Sequence, residues 1–413
     1  MLLKKQIKYD IINKNGEIKW NYYRQSGNFD NLITAIQNGA DAVYLGANHF
    51  NARVNAQNFD KEELKRAILY ARKRNVDVHL TLNILLFNQE IKDALELAKF
   101  AYECGVSAII VQDIGLAVEL VKRFPDLPIH ASTQMTISNL DGVQLIEKLG
   151  LKRVVLAREL SLVEIANIRK NTKMELECFG HGALCISYSG QCLFSSMIQK
   201  RSGNRGLCAG PCRLQYDLLK NGKDIDNGYL LSPKDICTLQ ILPQLIDLGI
   251  DSLKIEGRKK SYEYVSVVTK MYRKYIDLAK SKIQEYKVEK DDLKQILQIY
   301  NRGGMGTGYF ENRKKIVFSE KPNHLGLYLG RVKAINIQNE ISLGDVISIR
   351  ENTSYISQIT NGNTVSEIKN IKDIKVNDKV YKIVSNSFNK KQWENHKKEI
   401  RKVDISCKLH QKR

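Results

Sequence analysis

The sequence predicts an α/β protein: a (β/α)8 TIM-like barrel with a cysteine-rich insert, followed by a small all-β barrel domain. Three observations predict it. From residue 28 onward, short apolar runs alternate with amphipathic helical stretches, the pattern of a parallel sheet covered by helices. Five of the eight cysteines fall between Glu177 and Tyr216. Beyond His324 the hydrophobic period changes to two, as in half-buried strands.

Residues 1–27 form an irregular N-terminal segment, polar and only weakly alternating, that holds at most an eighth strand. FDNLITAIQNG then reads as a helix and ADAVYLG as a buried strand. KEELKRAILYARKRN places Leu64, Ile68 and Ala71 on one helical face. The theme repeats through the strands DVHLTLN, VSAIIVQD, LPIHASTQ, LKRVVLARE and MELECFG, each separated by a helical stretch. After the cysteines, CTLQILPQLIDLG reads as a helix, IDSLKIEGR as a strand and YEYVSVVTKMYRKYIDLAK as a closing helix. This sets the barrel at 28–285, with the cysteine region at 177–237. Residues 286–320 read as a linker with the Gly-rich segment YNRGGMGTGYF, which lacks the Gly-Lys-Ser/Thr ending of a phosphate loop. A small β domain follows at 321–385 and a basic tail at 386–413.

Lys and Arg number 65 against 45 Asp and Glu, a net charge of +20. Such an excess favours an anionic partner: nucleic acid first, anionic lipid or a polyacidic substrate next. The opening MLLKKQIKYD has no apolar signal core. No run approaches the roughly 18 apolar residues of a membrane span. The expectation is a cytoplasmic protein with no membrane partner. In a reducing cytosol, clustered cysteines point to metal or redox chemistry rather than disulfides.

In a barrel, chemistry gathers at the C-terminal ends of the strands. The polar residues there are Asn51, Arg53, Asn83, Gln112, Asp113, His130, Ser132, Gln134, Arg158, Glu159, Glu177, Lys254, Glu256 and Arg258. From these, Arg53, His130, Glu177, Lys254, Glu256 and Arg258 are the catalytic candidates. Arg158, Arg201 and Arg205 are candidates for holding an anionic cofactor or substrate. The cysteines run Cys185-x6-Cys192-x15-Cys208-x3-Cys212-x24-Cys237. Structural zinc favours two tight pairs, and only Cys208 and Cys212 make one. The wider spacing suits an iron–sulfur cluster better, with zinc and unligated buried cysteines as the alternatives. Cys104, Cys178 and Cys407 read as ordinary residues. No HExxH, GxSxG or Walker loop occurs.

ECFGHGALCISYSGQCLFS, RSGNRGLCAGPCRLQY, SPKDIC, KIEGRKKSYEYV, NRGGMGTGYF, GADAVYLG and HASTQMTISN together resemble the collagenase-like peptidase family of unknown catalytic type, peptidase U-32. The resemblance runs from about Gly27 to Ser385. It implies oxygen-independent RNA hydroxylation dependent on a [4Fe–4S] cluster, with prephenate as the co-substrate that donates oxygen. It also implies cluster ligands, carried over as Cys185, Cys192, Cys208 and Cys237, with Cys212 as the alternative. RSGNRGLCAGPCRLQY looks most like the long members that make 5-hydroxycytidine in large-subunit ribosomal RNA, and the chain stops where their extra C-terminal domain opens. Wobble-uridine hydroxylation in tRNA, a collagenase-like peptidase and a non-catalytic RNA-binding relative are the alternatives. An electron donor or partner subunit is a further expected partner. One departure stands out: the family opens on an apolar first strand, whereas NYYRQSG occupies 21–27 here.

Overall fold

The computed structural model describes residues 21–25, 28–54, 56–257, 260–311, 316–331, 345–349, 352–355, 359–360, 364–365, 378–385, 388–390 and 392. Seven strands come first: β1 (Asn21–Gln25), β2 (Ala42–Gly46), β3 (Asp77–Leu82), β4 (Ala108–Val111), β5 (Ile129–Ala131), β6 (Arg153–Val155) and β7 (Glu175–Ala183). Between them lie α1 (Phe29–Gln37), α2 (Lys61–Arg72), α3 (Ile91–Cys104), α4 (Ile114–Arg123), α5 (Leu140–Lys148) and α6 (Leu162–Lys170). The insert holds α7 (Phe194–Gln199) and the hairpin β8 (Tyr216–Lys220) and β9 (Lys223–Gly228). Next come β10 (Asp235–Cys237), α8 (Leu242–Asp247), β11 (Ser252–Ile255), α9 (Tyr262–Ser281), α10 (Lys290–Ile299) and β12 (Met305–Gly306).

Each strand from β1 to β7 pairs in parallel with the next. β11 then pairs in parallel with both β7 and β1, so the eight strands form a closed cycle of pairings. The eighth strand is β1, at the end of the segment that the sequence reads as irregular. Its pairing runs through backbone groups, which alternating apolar side chains do not have to announce.

Local signals set the helix ends. Asp60 and Glu63 make a reciprocal capping box at α2, as do Ser161 and Glu164 at α6. α3 ends at Gly105 in the left-handed conformation, φ +87°. The outward strand residues Val43, Leu45, Val78, Leu80, Ile109 and Val111 pack with Leu64, Ile68, Leu97 and Leu120 of the helices in one large core. The inward face is different. Ala42, Tyr44 and Ile110 form a small separate cluster there, and the remaining inward positions are largely polar.

Two expectations change. The stretch CTLQILPQLIDLG supplies only a short helix, α8, preceded by a 3-10 turn. The Gly-rich segment is no linker: β12 pairs in parallel with β10, and β10 pairs antiparallel with the end of β7. Both strands therefore extend the sheet beyond the ring. C-terminally, β13 (Leu327–Arg331), β14 (Val346–Ile349), β15 (Asn352–Tyr355), a two-stranded unit of β16 (Ile359–Thr360) and β17 (Thr364–Val365), and β18 (Lys379–Val384) follow. Among the described residues, β13, β18, β14 and β15 make a four-stranded antiparallel sheet. No described helix is long and apolar enough to cross a membrane.

Candidate active site

The ring carries a pocket at the C-terminal ends of its strands. Tyr44 of β2, Thr81 of β3, Phe179 of β7 and Lys254 of β11 form its inner wall. Ala52, Arg53, Asn83, Ser132, Thr133, Gln134, Arg158 and Glu256 come from the loops that follow the strands. Its volume is about 60 Å³. Of the predicted catalytic residues, Arg53, Lys254 and Glu256 reach this pocket, as does Arg158. Arg258 lies outside the described residues.

Glu177 and His130 do not reach it. Glu177 is fully buried inside the ring, where Lys254 Nζ lies 2.9 Å from Oε1. Ser252 Oγ donates to Oε2 at 3.0 Å, and an Arg153 guanidinium nitrogen lies 3.4 Å from the same oxygen. Burial pushes the Glu177 carboxyl up. Lys254 and Arg153 outweigh that and hold it below its ordinary value. Glu177 is therefore the anion that fixes Lys254 in the pocket wall, 4.2 Å from the Tyr44 ring centroid. His130 lies beneath the pocket, edge-on to His79 with ring centroids 4.9 Å apart. Burial, then the neighbouring cations Arg153 and Lys254, push both imidazoles well below their ordinary pKa, and His130 adds to the shift on His79. Both rings are neutral at pH 7. His130 Nδ1 is buried with no hydrogen-bond partner among the described residues.

Arg158 has the environment of an anion binder. Its guanidinium lies 3.7 Å from the Phe179 ring centroid. It makes no ion pair among the described residues, and its Nε is buried without a partner. Burial lowers its pKa; Glu256, Cys185 and Glu159 pull it back up, while Arg53 adds to the lowering. A guanidinium keeps its proton regardless, so among the described residues that line the pocket three cations, Arg53, Arg158 and Lys254, face one carboxylate, Glu256.

The insert covers the same face. Gly190 (φ +79°) packs so tightly that a Cβ there would lie 2.1 Å from the Gln134 carbonyl oxygen. A Cβ on Gly206 (φ +80°) would lie 2.4 Å from that of Asn51. Arg205 is not beside the thiols. It grips Glu90 through two hydrogen bonds of 2.7 and 2.9 Å, donates to the Leu85 carbonyl at 2.7 Å and lies over Phe87. It is an anchor of the insert, and the expectation of a cofactor-binding role gives way to that. Arg201 is exposed.

Cys185, Cys192, Cys208 and Cys212 come together. Burial raises the Cys212 thiol pKa; Arg213 lowers it, and the other three thiols raise it further. A Cβ on Gly203 would touch both Cys208 and Cys192. Cys237 is buried on β10, its sulfur 3.7 Å from the Tyr272 hydroxyl. Among the described residues, no three His, Cys, Asp or Glu side chains sit close enough to hold one metal ion. A single zinc draws its thiolates to about 2.3 Å. Cys178 is buried in the core and burial raises its thiol pKa. Cys104 is half-buried late in α3, and Cys407 lies outside the described residues.

Four side chains of this region escape a reading of strand ends: Tyr44, His79, Arg153 and Phe179. Their signal lies in the period of two. A polar or aromatic residue at an inward position of an otherwise apolar strand has no reason to be there for packing alone.

The model of peptidase family U32 matches residues 27–318. The chain is 38% identical to tRNA hydroxylation protein P1 of Bacillus subtilis over 296 residues, covering 69% of each chain. It is 37% identical over 308 residues to the 23S rRNA 5-hydroxycytidine C2501 synthase of Escherichia coli, covering 72% of this chain and 46% of that one. A collagenase of Porphyromonas gingivalis is 32% identical over 301 residues, 69% of this chain and 72% of that one. The matched segment contains every ring strand except β1, together with the pocket and the grouped thiols, and the chain therefore belongs to peptidase family U32.

Proposed function

We propose that this chain catalyses oxygen-independent hydroxylation of RNA, with a [4Fe–4S] cluster and a prephenate-like dicarboxylate as oxygen donor. One observation carries the reading. Arg53, Arg158 and Lys254 converge in one pocket, and Arg158 feels the charge of Cys185, one of the grouped thiols. Cationic side chains aimed into a half-closed pocket suit carboxylates. Hydroxylating relatives of tRNA and ribosomal RNA, and the +20 charge, support RNA as the substrate.

In this reading Arg158 and Arg53 hold the carboxylates, and Lys254, fixed by Glu177, completes the clamp. Phe179 and Tyr44 lend apolar walls, and Asn83, Ser132 and Gln134 offer hydrogen bonds to the remainder of the donor. Cys185, Cys192, Cys208 and Cys212 are the ligands we favour. When bound, the cluster would supply one-electron chemistry. Oxygen insertion into a C–H bond removes two electrons from the base, and the donor or a separate electron carrier takes them up. The resemblance of RSGNRGLCAGPCRLQY favours a cytidine of large-subunit ribosomal RNA over the tRNA wobble uridine.

Nucleoside mass spectrometry of ribosomal RNA and tRNA from strains with and without the gene tests the reading. Loss of a hydroxylated pyrimidine on deletion, restored by the wild-type gene but not by Arg158→Gln, is expected. Unchanged nucleosides in both RNA pools would sink it. The collagenase relative motivates a peptidase assay. Ser132, a hydroxyl in the pocket lining, accepts hydrogen bonds from Asn83 and the Gln134 backbone, and among the described residues no hydrogen bond joins it to a histidine.

A further inference from the structure

The segment after β11 and the Gly-rich segment bring together a second set of charges that the pocket does not use. Lys260 Nζ lies 2.7 Å from the Tyr300 ring centroid and 5.5 Å from that of Tyr264. His324 stacks on Tyr300 at 5.2 Å, and the Arg302 guanidinium lies 5.1 Å from the same ring. The charged groups that act on Lys260 are Asp235 of β10, Arg302 after α10, Glu256 after β11 and Arg213 of the insert; Lys260 acts in turn on His324.

Most of these groups are already committed. Arg302 pairs with Asp235 at 2.6 Å and donates to the Pro322 carbonyl at 2.9 Å. Arg213 donates to Ser232 Oγ at 2.7 Å and to the Leu184 carbonyl at 3.0 Å. Three cations thus surround one buried acid, and Lys260 makes no ion pair among the described residues. A half-buried ammonium without a counter-ion is costly. Burial accordingly lowers its pKa to about 7. Such an environment suits an anion that arrives from outside.

We propose that Lys260, with Arg302 and Tyr300 beside it, is a subsite for a backbone phosphate of the RNA substrate. The proposal rests on the RNA reading above and adds to it where the strand is held. A lysine is a point-charge binder of phosphate, whereas the paired arginines of the pocket suit planar carboxylates. Cations interleaved with aromatic rings are the usual surface for single-stranded nucleic acid. Lys260 also stands between Glu256, in the pocket wall, and Arg213, the residue after Cys212. A strand anchored there lies beside both the donor pocket and the thiols.

The sign of the pH effect follows from linkage. A bound phosphate favours the charged ammonium, so binding is strongest below pH 7 and weakens as pH rises above it. At pH 8 the free lysine is about one-tenth protonated and the bound one nearly fully so; binding then takes up about 0.9 proton, and almost none at pH 6. The test is calorimetric titration of the cluster-loaded protein with a short single-stranded oligoribonucleotide, in buffers of different ionisation enthalpy and across a salt series. Wild type should show the proton uptake at pH 8. Lys260→Arg should keep the affinity but lose the uptake. Lys260→Met should lose both, with the slope of log K against log salt reduced by about 0.7. Melting temperature and iron content establish that each variant is folded and loaded. Equal uptake and equal salt slope in wild type and Lys260→Met would overturn the proposal. So would an effect of Lys260→Met on binding of the dicarboxylate donor but not of RNA. Inorganic phosphate as competitor should displace the oligoribonucleotide less well from Lys260→Met than from wild type; equal competition would count against the site. Binding is read without turnover, so a wild-type protein that binds RNA this way yet hydroxylates nothing would remove the hydroxylase reading and leave the subsite standing.

Discussion

Arg158, in the loop after β6, and Glu177, within β7, have opposite fates. Arg158 makes no ion pair among the described residues and faces the pocket; Glu177 has three partners and faces none of it. Arg158→Gln should raise the KM for the dicarboxylate donor about 10- to 100-fold, the worth of a charge-assisted hydrogen bond, with the melting temperature little changed. Glu177→Leu should act on stability instead. It strands Lys254 without its anion, while Arg153 keeps Glu175, at a cost of about 3–5 kcal/mol, measurable by denaturant unfolding. The pH dependence has two parts. The depressed carboxyl of Glu177 contributes stability that is present above pH ~4.3 and is lost as pH falls through its folded value. His79 and His130 are held neutral, so the unfolded chain binds more protons than the folded one below pH ~6.5. Stability should therefore begin to fall near pH 6.5, by up to about 1.4 kcal/mol per pH unit for each histidine. A melting temperature flat from pH 7 to pH 5 would contradict this assignment.

At the scale of elements, the insert covers the face of the ring that carries the pocket and holds the grouped thiols. It meets the ring through the tight contacts of Gly190 and Gly206 and through the Arg205–Glu90 pair. That pair is partly exposed, so its removal should cost under about 1 kcal/mol in global stability. Its local effect should be larger. Arg205→Ala is expected to speed proteolysis within 186–215 and to lower iron retention, while the ring melts as before. An insert as protease-resistant as wild type would show that the latch is unimportant. The hairpin β8–β9 exposes Leu218, Leu219 and Ile225. Two strands alone are marginal, which agrees with an insert held by its cap contacts rather than by its own core.

For the whole molecule, the iron–sulfur reading makes a sharp distinction between two cysteines. Anaerobic reconstitution should give about four irons per chain. Cys212→Ser should lose the cluster absorbance, whereas Cys237→Ser should keep it and cost only packing against Tyr272. The reverse result would return the fourth ligand to Cys237, where the family resemblance places it. Cys237 and Cys212 are equally plausible along the chain because a cluster tolerates wide and irregular spacing. The antiparallel pairing of β10 with the end of β7 is what turns Cys237 toward α9, and no spacing reveals that.

The alternation of strands and helices, the polar strand ends and the clustered thiols were all legible from residue order, because periodicity and capping are local properties. Arg53, Arg158, Lys254 and Glu256 were found this way and do converge. Three things depended on contacts between distant segments. β1 had no apolar pattern, since its place in the ring comes from backbone pairing with β2 and β11. The Gly-rich segment became a strand because β10 offered it an edge. The roles of Glu177, His130 and Arg205 were set by what stood opposite them. A charged side chain on a strand end binds a ligand or supports a neighbour according to whether a counter-charge is already within reach, and that is a property of the folded ring rather than of the order of residues.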